Sequence, residues 1–341
     1  MDMLWIWVIF VASASVVLLS GVKLSRYGEA IAINTKLGGL WVGSVILAGA
    51  TSLPEMITAI SSGALNLPDI ALGNVFGSNI FNVIIIAVMD IVERKSAIFT
   101  KISPGHILAA TYGMLLSTIA AIFILLRIKI AIFGVGFDAM LLAAIYFIGL
   151  RMISNYEQKP REEKLVYLAD GITAEASETK ETMPLVKAVR GLIITAILII
   201  IAGFFLSYSA GEIAKITGIG TTFIGSILVS LVTSLPELVS SIAAVKIGAI
   251  DMAIGNVLGS NIFNIFTIFI GDLAYRGGPI LSMGSSLHAI TALFGLVLSG
   301  VVVLGLSYRS KKHYAGVGVD SILIIAIYLI AAYILFQRQA L

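Results

Sequence analysis

The chain has 341 residues, of which 59% are apolar and only 12% charged, against roughly a quarter charged in soluble domains; with a mean hydropathy of +1.04, this excludes an ordinary water-soluble protein. A net charge of +3 is too small to argue for a nucleic-acid partner, and the lack of cysteine rules out disulfides, thiolate metal ligands and cysteine nucleophiles. The expected partner is the lipid bilayer, and at about 20 apolar residues per crossing the composition suffices for about ten helices.

In chain order, membrane spans are expected near residues 3–22, 41–64, 69–92, 105–126, 133–152, 186–208, 218–246, 251–275, 286–307 and 318–336. The first begins MDMLWIW, with Asp2 and no basic stretch, and reads as a helix rather than a cleaved signal. Trp5, Trp7 and Trp41 suit the membrane interface. Asp69 and Asp251 stand at the starts of the third and eighth spans, where acids cap helices. His106 and His288, near the starts of the fourth and ninth, read as interfacial side chains. Asp90, Asp272, Asp138 and Asp320 read as peripheral, with a structural or gate role. The only long hydrophilic stretch, residues 153–185, reads as a linker of mixed charge. Placing both termini outside leaves Arg127, Lys129, Lys215, Arg276 and Arg338 on the outer side and the other 17 of 22 basic residues inside, as positive loops prefer. The linker is then cytoplasmic.

An internal repeat organises the chain. TSLPE at Thr51–Glu55 returns at Thr233–Glu237, GNVFGSNIFN at Gly73–Asn82 returns as GNVLGSNIFN at Gly255–Asn264, and GVGFD at Gly134–Asp138 returns as GVGVD at Gly316–Asp320. All three share one offset, so residues 1–152 and 186–341 are two copies. Five spans per copy is odd, so the second copy enters from the opposite side and the repeats are inverted. The expected fold is therefore all-α and integral to the membrane, ten helices in two inverted five-helix repeats. Secondary transporters are built this way around a midplane site. Duplication for packing alone is the plainer reading, but the best-matched segments are polar and lie inside spans.

Glu55 and Glu237 sit mid-span, where a charge costs at least about 2.5 kcal/mol. At equivalent points of inverted copies they converge, and if ionised their repulsion calls for cations or protons; a pair of neutral acids hydrogen-bonded to hydroxyls is the alternative. Pro54 and Pro236 remove helix hydrogen bonds and release carbonyls near Ala50–Thr51 and Val232–Thr233, which at membrane depth can line a cavity or hold an ion. Thr51, Ser52, Thr233 and Ser234 add hydroxyls. Ser78 and Asn82 share a helical face, as do Ser260 and Asn264, while Gly73 and Gly77, like Gly255 and Gly259, allow close helix approach. Asn74, Asn79, Asn256 and Asn261 suit packing or capping as well as ligation. Two carboxylates with neutral oxygens, and no His or Cys nearby, form an inventory for hard cations such as calcium or sodium rather than zinc or copper.

The paired TSLPE and GNVxGSNxFN segments, one pair per half, resemble the alpha repeats of the sodium/calcium exchanger family within the calcium/cation antiporters. The resemblance implies exchange of Na+ for Ca2+, electrogenic, with Glu55 and Glu237 as central Ca2+ ligands and the carbonyls of Thr51 and Thr233 completing that site. It implies Na+ or shared sites at Ser52, Ser78, Asn82, Ser234, Ser260 and Asn264, with backbone oxygens of Ala48 and Ser230. The first and sixth helices would slide as a pair across a fixed core. Asn264 stands where potassium-dependent relatives have Asp, so potassium co-transport is not expected. The TSLPE pattern is unlike the GNAxE of the calcium/proton branch, and the long calcium-sensing region of animal exchangers has no counterpart.

The expected function is thus a secondary active antiporter of the cell membrane, exchanging inorganic cations at one midplane site by alternating access. It is expected to work as a monomer, without cofactor and without enzymatic activity, since no nucleophile and base pair is visible. Calcium/proton exchange is the alternative within transporters, and a passive cation channel the alternative outside them.

Overall fold

The computed structural model describes residues 3–34, 49–93, 98–169, 183–310, 313–314 and 317–338. Its helices are α1 (Met3–Asn34), α2 (Leu53–Ala64), α3 (Pro68–Glu93), α4 (His106–Leu126), α5 (Phe137–Ala169) and α6 (Leu185–Thr217). There follow α7 (Thr221–Thr233, with a π turn over Ile224–Val229), α8 (Leu235–Lys246), α9 (Ile250–Ala274), α10 (Ile280–Met283), α11 (Leu287–Tyr308) and α12 (Val319–Arg338). Among the described residues eight helices are long and apolar enough to cross a membrane, and the pair α7 and α8, bent by 41°, makes a ninth. The span read at 41–64 falls partly outside the described residues, as do Ala48 and Trp41.

Local chemistry sets the boundaries. Helix α2 ends where Asn66 turns left-handed (φ 56°) and Leu67 N donates to Ser62 O at 2.8 Å. At the matching place α8 ends on Gly248 (φ 81°), with Ala249 N on Ala244 O at 2.9 Å. Both are Schellman-type stops, made by the two residue types that best tolerate this conformation. Pro68 then opens α3, where its missing N–H costs nothing. The fifth span starts at Phe137 rather than 133, because Phe133 (φ 52°) and Gly134 (φ 85°) form the two-residue turn of a small antiparallel hairpin, Ala131–Ile132 with Val135–Gly136. A matching hairpin, His313–Tyr314 with Val317–Gly318, precedes α12. Helices α1 and α6 run well past their apolar cores, and α5 continues to Ala169, through what the sequence reads as the start of the linker.

The copies are inverted. Ile6 and Phe10 at the start of α1 share a core cluster with Leu206, Ala210 and Ile213 late in α6. Further on, Leu24 packs with Ile199 and Leu192, and the Tyr27 ring lies against Gly191 near the start of α6. Equivalent helices therefore run in opposite directions. Helices α3 and α9 cross the same way, since Asn79 meets Asn264 while Asn82 meets Asn261. These two are the most enclosed spans, with 72% and 67% of their apolar windows buried, against 28% for α1 and α6. The site's helices are thus at the centre, and α1 and α6 pair with each other on the outside. Gly73 and Gly77 let the backbone of Gly225 and Ser226 lie directly on α3; a Cβ on Gly73 would sit 2.9 Å from Ser226 N.

Candidate cation site

Both halves break their second helix at the same place. Ser52 (φ −85°, ψ 10°) and Ser234 (φ −88°, ψ 2°) leave helical geometry two residues before Pro54 and Pro236, because proline supplies no N–H to the preceding turn and crowds its carbonyl. The break delivers Glu55 and Glu237 into the interior, where each is fully buried.

Each carboxylate is held by the opposite copy. Ser52 Oγ donates to Glu237 Oε1 at 3.0 Å, and Ser234 Oγ donates to Glu55 Oε1 at 3.0 Å. Ser260 Oγ lies 3.5 Å from Glu237 Oε1. Thr51 Oγ1 donates to Asn256 Oδ1 at 3.1 Å, and Thr233 Oγ1 to Asn74 Oδ1 at 2.9 Å. Ser78 Oγ is 3.4 Å from Thr233 Oγ1. Asn82 Nδ2 donates to Asn261 Oδ1 at 2.9 Å and Asn264 Nδ2 to Asn79 Oδ1 at 3.0 Å. The bonds form two repeat-matched sets, Ser52 and Ser260 on Glu237 and Ser234 on Glu55, with the Thr51–Asn256 pair and the Ser78–Thr233–Asn74 chain beside them, and Asn82 and Asn264 stand one turn beyond Ser78 and Ser260 on the same helix faces. The carbonyl of Ser230 already accepts Ser234 N at 3.0 Å and Thr233 Oγ1 at 3.2 Å. Ala48 lies outside the described residues.

Among the candidate ligand side chains, four oxygens have no protein partner: Glu55 Oε2, Glu237 Oε2, Asn82 Oδ1 and Asn264 Oδ1, all on fully buried side chains. A buried acceptor left unpaired costs about 1–3 kcal/mol, and more when charged. Two carboxylate and two amide oxygens, repeat-matched and desolvated, fit a hard cation that takes oxygen ligands. Among the described residues no group of three or more His, Cys, Asp or Glu side chains is placed to hold a metal.

Several side chains act differently from their sequence reading. Asp69 and Asp251 are tethers between copies rather than caps of their own helices. Asp69 Oδ1 accepts Ser285 N at 2.6 Å and faces His288 Nε2 at 3.0 Å, and its Oδ2 accepts Thr221 Oγ1 at 3.2 Å. Asp251 Oδ1 accepts Ser103 N at 2.8 Å and faces His106 Nε2 at 3.2 Å. The histidines are correspondingly buried, His288 completely. Asp90 and Asp272 are structural: Asp272 accepts Gly136 N and Ile280 N, each at 2.6 Å, and Asp90 accepts Gly318 N and Ile98 N, each at 2.7 Å. Their shared offset with a matched partner was the signal for these pairs.

Comparisons with known proteins agree with this architecture. The family described as sodium/calcium exchanger protein matches residues 5–154 and 187–337. The sodium/calcium exchanger MaX1 of Methanosarcina acetivorans is 27% identical over 67% of this chain and 71% of its own length. An uncharacterized membrane protein of Methanocaldococcus jannaschii, MJ0091, is 28% identical over 89% of each chain. A solved structure of the sodium-calcium exchanger NCX_Mj, soaked with Na+ and Sr2+, superposes with a TM-score of 0.61 and 25% identity, over 97% of this chain and 99% of that one.

Proposed function

Because the chain belongs to the sodium/calcium exchanger protein family, a family of multi-pass membrane transporters, we propose that it moves Ca2+ across the cell membrane in exchange for Na+, by alternating access to the site between Glu55 and Glu237. The observation that carries this reading is the set of four unpartnered oxygens, Glu55 Oε2, Glu237 Oε2, Asn82 Oδ1 and Asn264 Oδ1, on buried side chains drawn equally from both copies.

The proposed chemistry follows from charge and desolvation. Ser52 and Ser234 occupy one oxygen of each carboxylate, leaving the other free for an ion. Two negative charges balance one Ca2+, or two monovalent cations, so occupants of the two kinds exclude one another. The carbonyls of Thr51 and Thr233 complete the Ca2+ shell, while Ser52, Ser78, Asn82, Ser234, Ser260 and Asn264 supply Na+ or shared ligands. Water stripped from the ion is replaced by these fixed oxygens.

Exchange requires two states of similar energy, one open to each side, and inverted copies provide them by symmetry. Helices α1 and α6 are the moving pair in this proposal. They pack along each other at the periphery, and α1 crosses the site helices where Gly21 lies against Pro236 and Pro54. All proposed ligands come from one chain, so a monomer suffices.

The test is uptake of labelled Ca2+ into Na+-loaded proteoliposomes, with and without a pH gradient and a proton uncoupler. Uptake that needs the Na+ gradient and ignores the uncoupler is expected. Uptake driven by the pH gradient alone would transfer the reading to calcium/proton exchange, and flux far above carrier rates would transfer it to a channel.

A further inference from the structure

Asn82 and Asn264 can serve a cation only through Oδ1, because the other end of each amide is a hydrogen-bond donor that repels it. In one of the two pairs the orientation is set by a backbone carbonyl. Asn261 Nδ2 donates to the backbone carbonyl of Asn79 at 3.4 Å, and a backbone carbonyl can only accept. Asn261 Oδ1 is therefore turned towards Asn82, which must answer with Nδ2, at 2.9 Å. In the reciprocal pair Asn264 Nδ2 donates to Asn79 Oδ1 at 3.0 Å. Both Oδ1 atoms of Asn82 and Asn264 are left unpartnered on fully buried side chains. Asn79 and Asn261 also line a small cavity together with the repeat-matched pairs Gly113 with Gly295 and Ser117 with Ser299.

We infer that Asn79 and Asn261 are positioning residues that fix which atom of Asn264 and Asn82 faces the ion, and so set the site's affinity for cations. The inference rests on the exchange reading for its biological meaning, but not for its test. Removing the Asn79 side chain frees Asn264 to turn its NH2 group inwards. An aspartate at 264 presents oxygen whichever way it turns, so it should not need the clamp.

The experiment is the Ca2+ dependence of the melting temperature of purified full-length protein, which yields Kd without transport. Asn79→Ala is expected to weaken Ca2+ binding about tenfold, a change of about 1.4 kcal/mol. Adding Asn264→Asp should restore most of that loss, whereas adding Asn82→Asp should not; Asn261→Ala should show the converse pattern. Asn79→Asp, which keeps an acceptor for Asn264 Nδ2, should stay within about threefold of wild type and replaces the alanine variant if that does not fold. Equal rescue by either aspartate, a Kd unchanged in Asn79→Ala, or Asn79→Asp weakened as far as Asn79→Ala would each overturn the inference. Wild-type protein that binds Ca2+ but does not exchange it would sink the transport reading alone; wild-type protein that does not bind Ca2+ would sink both.

Discussion

Ser52 of the first copy donates its hydroxyl hydrogen to Glu237 of the second at 3.0 Å, and Ser234 returns the same bond to Glu55 at 3.0 Å. Hydrogen bonds to charged groups contribute about 1.5–3 kcal/mol, so each serine fixes a carboxylate rotamer that would otherwise wander. Ser52→Ala and Ser234→Ala are each expected to raise the Ca2+ KM about tenfold, equivalent to about 1.4 kcal/mol. Initial rates of labelled uptake check this. Because the bonds are reciprocal, the two variants should differ little from each other; a large effect in one and none in the other would contradict a symmetric site.

Glu55→Gln or Glu237→Gln should abolish Na+-driven Ca2+ uptake while leaving a folded, membrane-inserted protein. The glutamine keeps an acceptor for the serine hydroxyl but halves the fixed charge, so a divalent ion is no longer neutralised in a medium where an uncompensated charge is costly. The decisive measurement pairs Ca2+ counterflow with size-exclusion behaviour. Wild-type-like counterflow in the double variant would remove both carboxylates from the mechanism.

The sequence made the carboxylates legible because the repeat marks Glu55 and Glu237 as equivalent and membrane depth makes any charge conspicuous. It also made the inversion legible, since five crossings per copy leave no other arrangement. It did not reveal which residue of one copy meets which of the other. A constant offset states that Asp69 matches Asp251 and that His106 matches His288, but the contact is Asp69 with His288, set by tertiary packing. The same limit kept Asn79 and Asn261 in the background, because the direction of these amides depends on neighbours 179 to 185 positions away in the chain. The hairpins before α5 and α12 escaped notice because two-residue strands carry no periodicity, and α1 outran its apolar run because Lys23 to Asn34 contains no proline to stop it.

Ca2+ should stabilise the folded protein, because it binds a site that does not exist in the unfolded chain. At a hundredfold excess over Kd the gain is about 2.7 kcal/mol, readable as a rise in melting temperature in detergent. Glu237→Gln should lose that rise. Mg2+ at the same concentration should produce much less, since it gives up its water reluctantly and demands near-octahedral geometry. A Mg2+ response equal to that of Ca2+ would argue against the oxygen set proposed as the site.

Removing a tether should cost stability without touching affinity. Asp69 joins the start of α3 to Ser285 and His288 ahead of and within α11, and to Thr221 at the start of α7. Asp69→Ala strips three donors of their acceptor and leaves the His288 ring, 0% exposed, facing nothing. With the Asp69 side chain itself 29% exposed, water recovers part of the loss, and a destabilisation of about 2 kcal/mol is expected. Asp251→Ala should be milder. Its side chain is 44% exposed and its contacts are Ser103 N and the His106 ring, so solvent can replace more of them. Thermal melting in detergent should therefore rank Asp69→Ala below Asp251→Ala, and both below wild type. The Ca2+ KM of each folded variant should stay within about twofold of wild type, because neither aspartate touches Glu55, Glu237 or the asparagines beside them. A KM raised along with the fall in stability would mean that the tethers also hold the ion site in shape, and would tie ion affinity to the seam between the copies.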